Sequence, residues 1–166
     1  MRKAAMKKLG MVCLILLGIT AQGATADNMS FKGTLREDVP CEFNGGQPIN
    51  VNFETVGVNK IDGERYKKSF AVDITCPSGF DVPFKISYVG NPSDFDASAL
   101  ATNINGLGIK AQYQVNNGFS DLAVGGYMGG VGSVKRHVKV VPVKSPNAVL
   151  TPGMFNANAS LRLEYY

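Results

Sequence analysis

This chain has no tryptophan and a single histidine, and little chemistry is possible without the missing groups. His137 alone, with no Gly-x-Ser-x-Gly, leaves no familiar nucleophile–base arrangement. The same scarcity, with no Cys-x-x-Cys, leaves no zinc-ligand set. The glycine-rich run 125–132 is followed by neither a helix pattern nor a Lys-Ser/Thr pair, so it reads as a flexible loop and not a phosphate cradle. Helix signals are nearly absent. No window of a dozen residues sustains a 3.6-residue apolar period between caps; residues 93–100 offer at most a short helical turn. Asp62, Glu64, Asp94 and Asp96 lie in turn-like polar stretches, which suit solvated loops better than a catalytic carboxylate pair. The expectation is a protein that is not an enzyme and holds no cofactor and no metal.

What is present begins with an export signal. Arg2, Lys3, Lys7 and Lys8 form a basic segment, residues 9–19 are apolar but too short for a stable membrane anchor, and Ala24-Thr25-Ala26 is a small-residue cleavage site. Cleavage after residue 26 leaves 140 residues, enough for one domain with a real core. The four basic residues account for the whole net charge of +4, so the mature chain is formally neutral. Nothing then argues for nucleic acid or an anionic membrane surface, and no later segment suits membrane insertion. The one dense basic patch, Lys135-Arg136-His137-Val-Lys139, reads as the solvated face of a strand because valines interrupt it. Cys13 leaves with the signal. Cys41 and Cys76 remain, and an even pair in an exported chain reads as one disulfide in an oxidising compartment. In the chain-entropy description such a bridge stabilises by about 3–4 kcal/mol.

Strand signals fill the rest. Apolar residues alternate over 29–35, 48–53, 70–76, 83–89, 107–115 and 155–165, and 134–143 reads as a further strand. Turn-forming clusters separate them, among them Asn44-Gly45-Gly46, Asp62-Gly63, Asn105-Gly106, Asn116-Asn117-Gly118 and Pro152-Gly153. Short strands at this spacing predict an all-β, immunoglobulin-like sandwich. Tyr88, Tyr113 and Tyr127 could line a sugar site, but strand packing accounts for them more cheaply.

The last strand poses a problem. Phe155, Ala157, Ala159, Leu161, Leu163 and Tyr165 put one apolar face along the final segment. Its backbone has two edges to satisfy, and no further sequence follows it here. At the other end, Met29, Phe31 and Leu35 alternate around Gly33, and Asp38-Val39-Pro40 interrupts any continuous strand into Cys41.

Over essentially the whole mature chain these motifs resemble the chaperone–usher pilins that build P-type and type 1 fimbriae, most of all their small minor tip subunits. Family members end in an alternating apolar strand with a penultimate Tyr and a Gly fourteen residues from the end, which Tyr165 and Gly153 match. Residues 29–35 are similar to the family's donor strand, and Cys41 with Cys76 to its single bridge. The resemblance implies an incomplete immunoglobulin-like sandwich lacking its seventh strand, with an N-terminal donor-strand extension. It divides the chain into a signal peptide (1–26), a donor arm (27–36) and a pilin domain (37–166). Met29, Phe31, Gly33 and Leu35 would insert into a neighbouring subunit. Gly153, Phe155, Ala157, Ala159, Leu161, Leu163 and Tyr165 would flank the acceptor groove and be read by a periplasmic pilus chaperone and an outer-membrane usher. The implied function is a non-catalytic structural subunit, exported through the periplasm to a fimbrium at the cell surface. The rival expectation is a stand-alone secreted sandwich that binds carbohydrate or protein.

Overall fold

The computed structural model describes residues 30–35 and 41–166. Residues 1–29, which hold the signal segment and Met29, and residues 36–40 lie outside the described residues. The chain divides into two units, Met1–Arg36 and Glu37–Tyr166. In the first, residues 30–35 form neither helix nor strand and every side chain is exposed, Phe31 at 86%.

The second unit is built from β1 (Glu42–Phe43), β2 (Lys68–Thr75), β3 (Pro83–Gly90), β4 (Pro92–Ser93), β5 (Asp96–Ala101), β6 (Leu107–Val115), β7 (Gly118–Leu122), β8 (Tyr127–Val131), β9 (Val134–Lys144) and β10 (Ala159–Tyr165). Two 3-10 turns are its only helical elements among the described residues. The larger sheet runs β1-β2-β9-β6-β5-β4, with β7 paired to β6; the smaller runs β10-β3-β8. Every pairing is antiparallel. The result is an all-β, immunoglobulin-like sandwich.

Alternation in the sequence becomes alternation in space. On β3, Phe84, Ile86 and Tyr88 are buried, while Lys85, Ser87 and Val89 face outward. Val72 and Ile74 of β2, Ile109 and Ala111 of β6, and Val138 and Val140 of β9 supply the opposing face. Fully burying Phe84, Ile86 or Met128 contributes roughly 1.5–3 kcal/mol each. Cys41 and Cys76 are disulfide-bonded, which ties the start of β1 to the end of β2.

Five local expectations are revised. Residues 93–100 are a hairpin and not a helical turn: Ser93 Oγ donates to the Asp96 carbonyl at 2.8 Å and accepts from its N–H at 3.3 Å. The glycine-rich run is a loop only in part, since Tyr127–Val131 pairs with β3 as β8. Gly118–Leu122 forms a strand where only the preceding turn was foreseen. Residues 48–53 alternate as expected, with Ile49, Val51 and Phe53 half-buried, yet they pair with no strand. The final segment likewise pairs only from Ala159, not from Phe155. The last two departures share a cause, because a ladder needs a neighbour and these two segments flank a space where none stands.

Candidate assembly groove

That space is a groove of about 1060 Å³. One wall is residues 47–56, with Ile49, Val51 and Phe53 turned toward the core. The other wall is residues 151–159 with Leu161, where Phe155 and Ala157 pack inward. Between them Tyr88, Leu100, Ile109, Leu122, Val138 and Val140 form an apolar floor. The rings of Phe53 and Phe155 lie 5.9 Å apart and link the two walls. Near Phe155 a second small cluster of Ile61, Leu107 and Leu150 extends the apolar surface. Tyr88 is buried in the floor, and that burial pushes its hydroxyl up to about 12.

The backbone defines the groove as much as the side chains do. Tyr166 N–H donates to the Pro83 carbonyl at 3.3 Å, in the same register that pairs Tyr165 with Phe84. In an antiparallel pair, residues with both backbone groups bonded to the neighbour alternate with residues whose groups point away. Ser160, Arg162 and Glu164 therefore bond β3, and Ala159, Leu161, Leu163 and Tyr165 direct their N–H and C=O groups to the other edge. No strand among the described residues pairs with that edge. Upstream, Asn103 braces the wall. Its Nδ2 donates to the Met154 carbonyl at 3.2 Å, its N–H donates to the Asn156 carbonyl at 3.2 Å, and its Oδ1 accepts from Asn156 N–H at 2.8 Å.

The seven C-terminal residues singled out by sequence separate into groups. Gly153, Phe155, Ala157, Ala159 and Leu161 line the groove. Ala159 is exposed, unlike its half-buried neighbours in the series. Gly153 is exposed as well, and a Cβ built there meets nothing within 4 Å, so the chain's own packing does not require glycine at that position. The side chains of Leu163 and Tyr165 pack on the core beyond this stretch, while their backbone groups face the same free edge. Tyr165 Oη accepts the Cys41 N–H at 2.7 Å, and its ring meets Phe80 edge-on at 5.9 Å. This aromatic thus fastens the final strand to the disulfide. The wall at Ile49, Val51 and Phe53 was missed as a site, although its alternation is the same signal that marked the C-terminal strand. Of the arm residues, Phe31, Gly33 and Leu35 are exposed, and Met29 lies outside the described residues.

A sandwich with an apolar groove and an unpaired strand beside it defines a class of protein: one whose sheet is completed by a strand from elsewhere. The comparisons narrow that class. Residues 29–166 match the fimbrial protein family, and the chain belongs to it. It is 28% identical over 168 residues to the uncharacterized fimbrial-like protein YfcQ of Escherichia coli K12, across 96% of this chain and 99% of that one. It is 29% identical over 138 residues to the fimbrial adapter PapF of Escherichia coli, across 76% and 80%. Among solved structures, the P pilus adaptor subunit PapF superposes with a TM-score of 0.61 at 26% identity, covering 78% of this chain and 98% of that one. The P pilus rod subunit PapA gives 0.59 at 19% identity, across 76% and 99%, and supports the fold alone. The protein is a structural subunit of fimbriae.

Proposed function

We propose that this subunit is a link in a chaperone–usher fimbria, in a minor adaptor position. It donates residues 27–35 to one neighbour and accepts a neighbour's arm in the groove beside β10. Before assembly a periplasmic chaperone would cover the groove, and an outer-membrane usher would exchange chaperone for arm on the way to the cell surface. The observation that carries this reading is the pair of unpaired, alternating walls, residues 47–56 and 151–159, facing each other across an apolar floor. An added strand would meet the free backbone groups of Ala159 and Leu161 and set its inward side chains on Leu100, Ile109 and Val138. Burying Met29, Phe31 and Leu35 of an incoming arm would contribute about 5–9 kcal/mol before ordering costs. The adaptor position is supported by the similarity to PapF in both sequence and structure.

The test is direct. The mature chain is produced in a periplasm with and without a pilus chaperone, and soluble yield is measured. A synthetic peptide of residues 27–35 is then titrated onto the purified chain. Saturable binding, with loss of binding when Gly33 is replaced by Leu in the peptide, is the expected result. A soluble, cooperatively unfolding monomer that ignores both chaperone and peptide would favour the stand-alone binder instead.

A further inference from the structure

The small sheet has a second free edge, and it is built differently from the first. Tyr88 N–H donates to the Gly126 carbonyl at 2.8 Å, in register with the pairing of Ile86 and Met128. By the same alternation, the backbone groups of Tyr127, Gly129 and Val131 point away from β3, to an edge that no strand among the described residues covers. Within β8 this edge has few of the usual protections, although Gly125 and Gly126 both bond Tyr88 and form a bulge just before it. Tyr127-Met128-Gly129-Gly130-Val131 carries no charge, no proline and no bulge, and Tyr127 and Val131 are more than half exposed, at 59% and 57%. Core packing limits what could stand there. A Cβ at Gly130 would come within 2.5 Å of the fully buried Phe84 ring.

One side chain from the next strand reaches this edge. Arg136 sits in β9 opposite the fully buried Val72, and so does not share the solvated face of Lys135 and His137. Its Nη2 donates to the Gly129 carbonyl at 2.6 Å. Its Nε is buried and has no partner. No carboxylate lies within ion-pair distance of the guanidinium among the described residues. A buried, unpaired N–H costs about 1–3 kcal/mol, so this placement is poor for stability taken alone.

We propose that Arg136 is a specificity-determining residue for strand addition: it occupies the central outward carbonyl of β8 and sets a charge against that edge, confining added strands to the β10 groove. The inference rests on the strand-addition reading above. An incoming strand at β8 would have to displace a charge-assisted hydrogen bond and leave the guanidinium without an acceptor in the interface. At β10 it meets free backbone groups and an apolar floor.

The test uses the mature full chain saturated with the 27–35 peptide, so that the groove is filled. Sedimentation velocity is run on wild type, Arg136→Met and Arg136→Lys. Met keeps the apolar stem and removes the donor; Lys keeps a donor and the charge. Wild type and Arg136→Lys should stay monomeric. Arg136→Met should associate at least tenfold more tightly, with amide exchange at residues 127, 129 and 131 slowing as concentration rises. Arg136→Met that stays as monomeric as wild type overturns the proposal. If that variant fails to fold, wild type decides. The three amides should exchange as fast in assembled polymer as in the monomer, and protection on assembly would overturn the guard. Failure of the peptide to bind would count against the groove reading, while the exchange at β8 still reports on Arg136.

Discussion

The two outer strands of the small sheet are both unpaired along one side, and they end in opposite ways. Beside β10 the free backbone groups open onto an apolar floor, and the facing wall of Ile49, Val51 and Phe53 stands where a further strand would fit between. Beside β8 no strand among the described residues pairs with the outer edge, and Arg136 holds the central carbonyl. The difference teaches that a free edge alone does not make a strand-binding site. A site needs unsatisfied backbone, apolar surface deep enough to reward burial, and no group that already holds the acceptors. In the larger sheet the edge strands β1 and β4 are limited to two residues each, while β7, paired only to β6, runs for five.

The largest effect expected from this comparison comes from filling the β10 side. A chain extended beyond Tyr166 by a flexible linker and the 27–35 sequence should be more stable than the parent by several kcal/mol, up to the gross value of about 5–9 estimated for the three apolar side chains. Denaturant unfolding measures it, and an unchanged midpoint would remove the groove's special status. A pair of glycine variants comes next. Gly130→Ala, on the β8 side, should cost about 1–3 kcal/mol by forcing the Phe84 ring out of place. Gly153→Ala, on the β10 side, should change thermal stability by less than about 0.5 kcal/mol because the space is open. Lost peptide affinity in Gly153→Ala, with stability intact, would assign the need for glycine to the incoming strand.

Tyr165→Phe should cost about 1 kcal/mol by leaving the Cys41 N–H without its acceptor, read as a lowered unfolding midpoint with the disulfide intact. The smallest effect concerns the ion pair that bridges β3 and β10 on their outer face, where Lys85 Nζ lies 2.6 Å from Glu164. The Lys85 ammonium holds the Glu164 carboxyl below its ordinary value of 4.5, and Glu164 in turn raises Lys85. A carboxylate depressed in the folded state stabilises above its ordinary value, and that gain disappears as pH falls through the folded one. Glu164→Gln should therefore melt slightly lower than wild type at pH 7, with the gap narrowing as pH falls below 4.5. A gap that does not narrow at all between pH 7 and acid pH would show that packing, not charge, accounts for the difference.

Much of this was legible in the residues. Period-two alternation placed the inward faces of β2, β3, β6 and the C-terminal segment correctly, because side-chain direction in an extended chain is a local property. The Cys41–Cys76 bridge followed from export and an even count. The hairpin at 93–100 was missed because its Ser93–Asp96 hydrogen bonds compete with a helical turn over the same few residues. Strand β8 was missed because Gly129 and Gly130 carry no alternation, and their role lies in making room for Phe84. Arg136 was grouped with its basic neighbours because the cluster was read by charge, although the spacing from Val134 and Val138 puts residue 136 on the inward face.

The sequence by itself determined which side chains face inward along β2, β3, β6 and the C-terminal segment, the oxidised cysteine pair, and a final strand richer in apolar surface than in partners. Only the tertiary structure decided that residues 47–56 stand across from that strand as a second wall, that Tyr165 closes on Cys41, and that Arg136 reaches Gly129. The reason is physical. Alternation is set by neighbours along the chain, whereas the pairing or vacancy of an edge depends on what distant segments bring beside it.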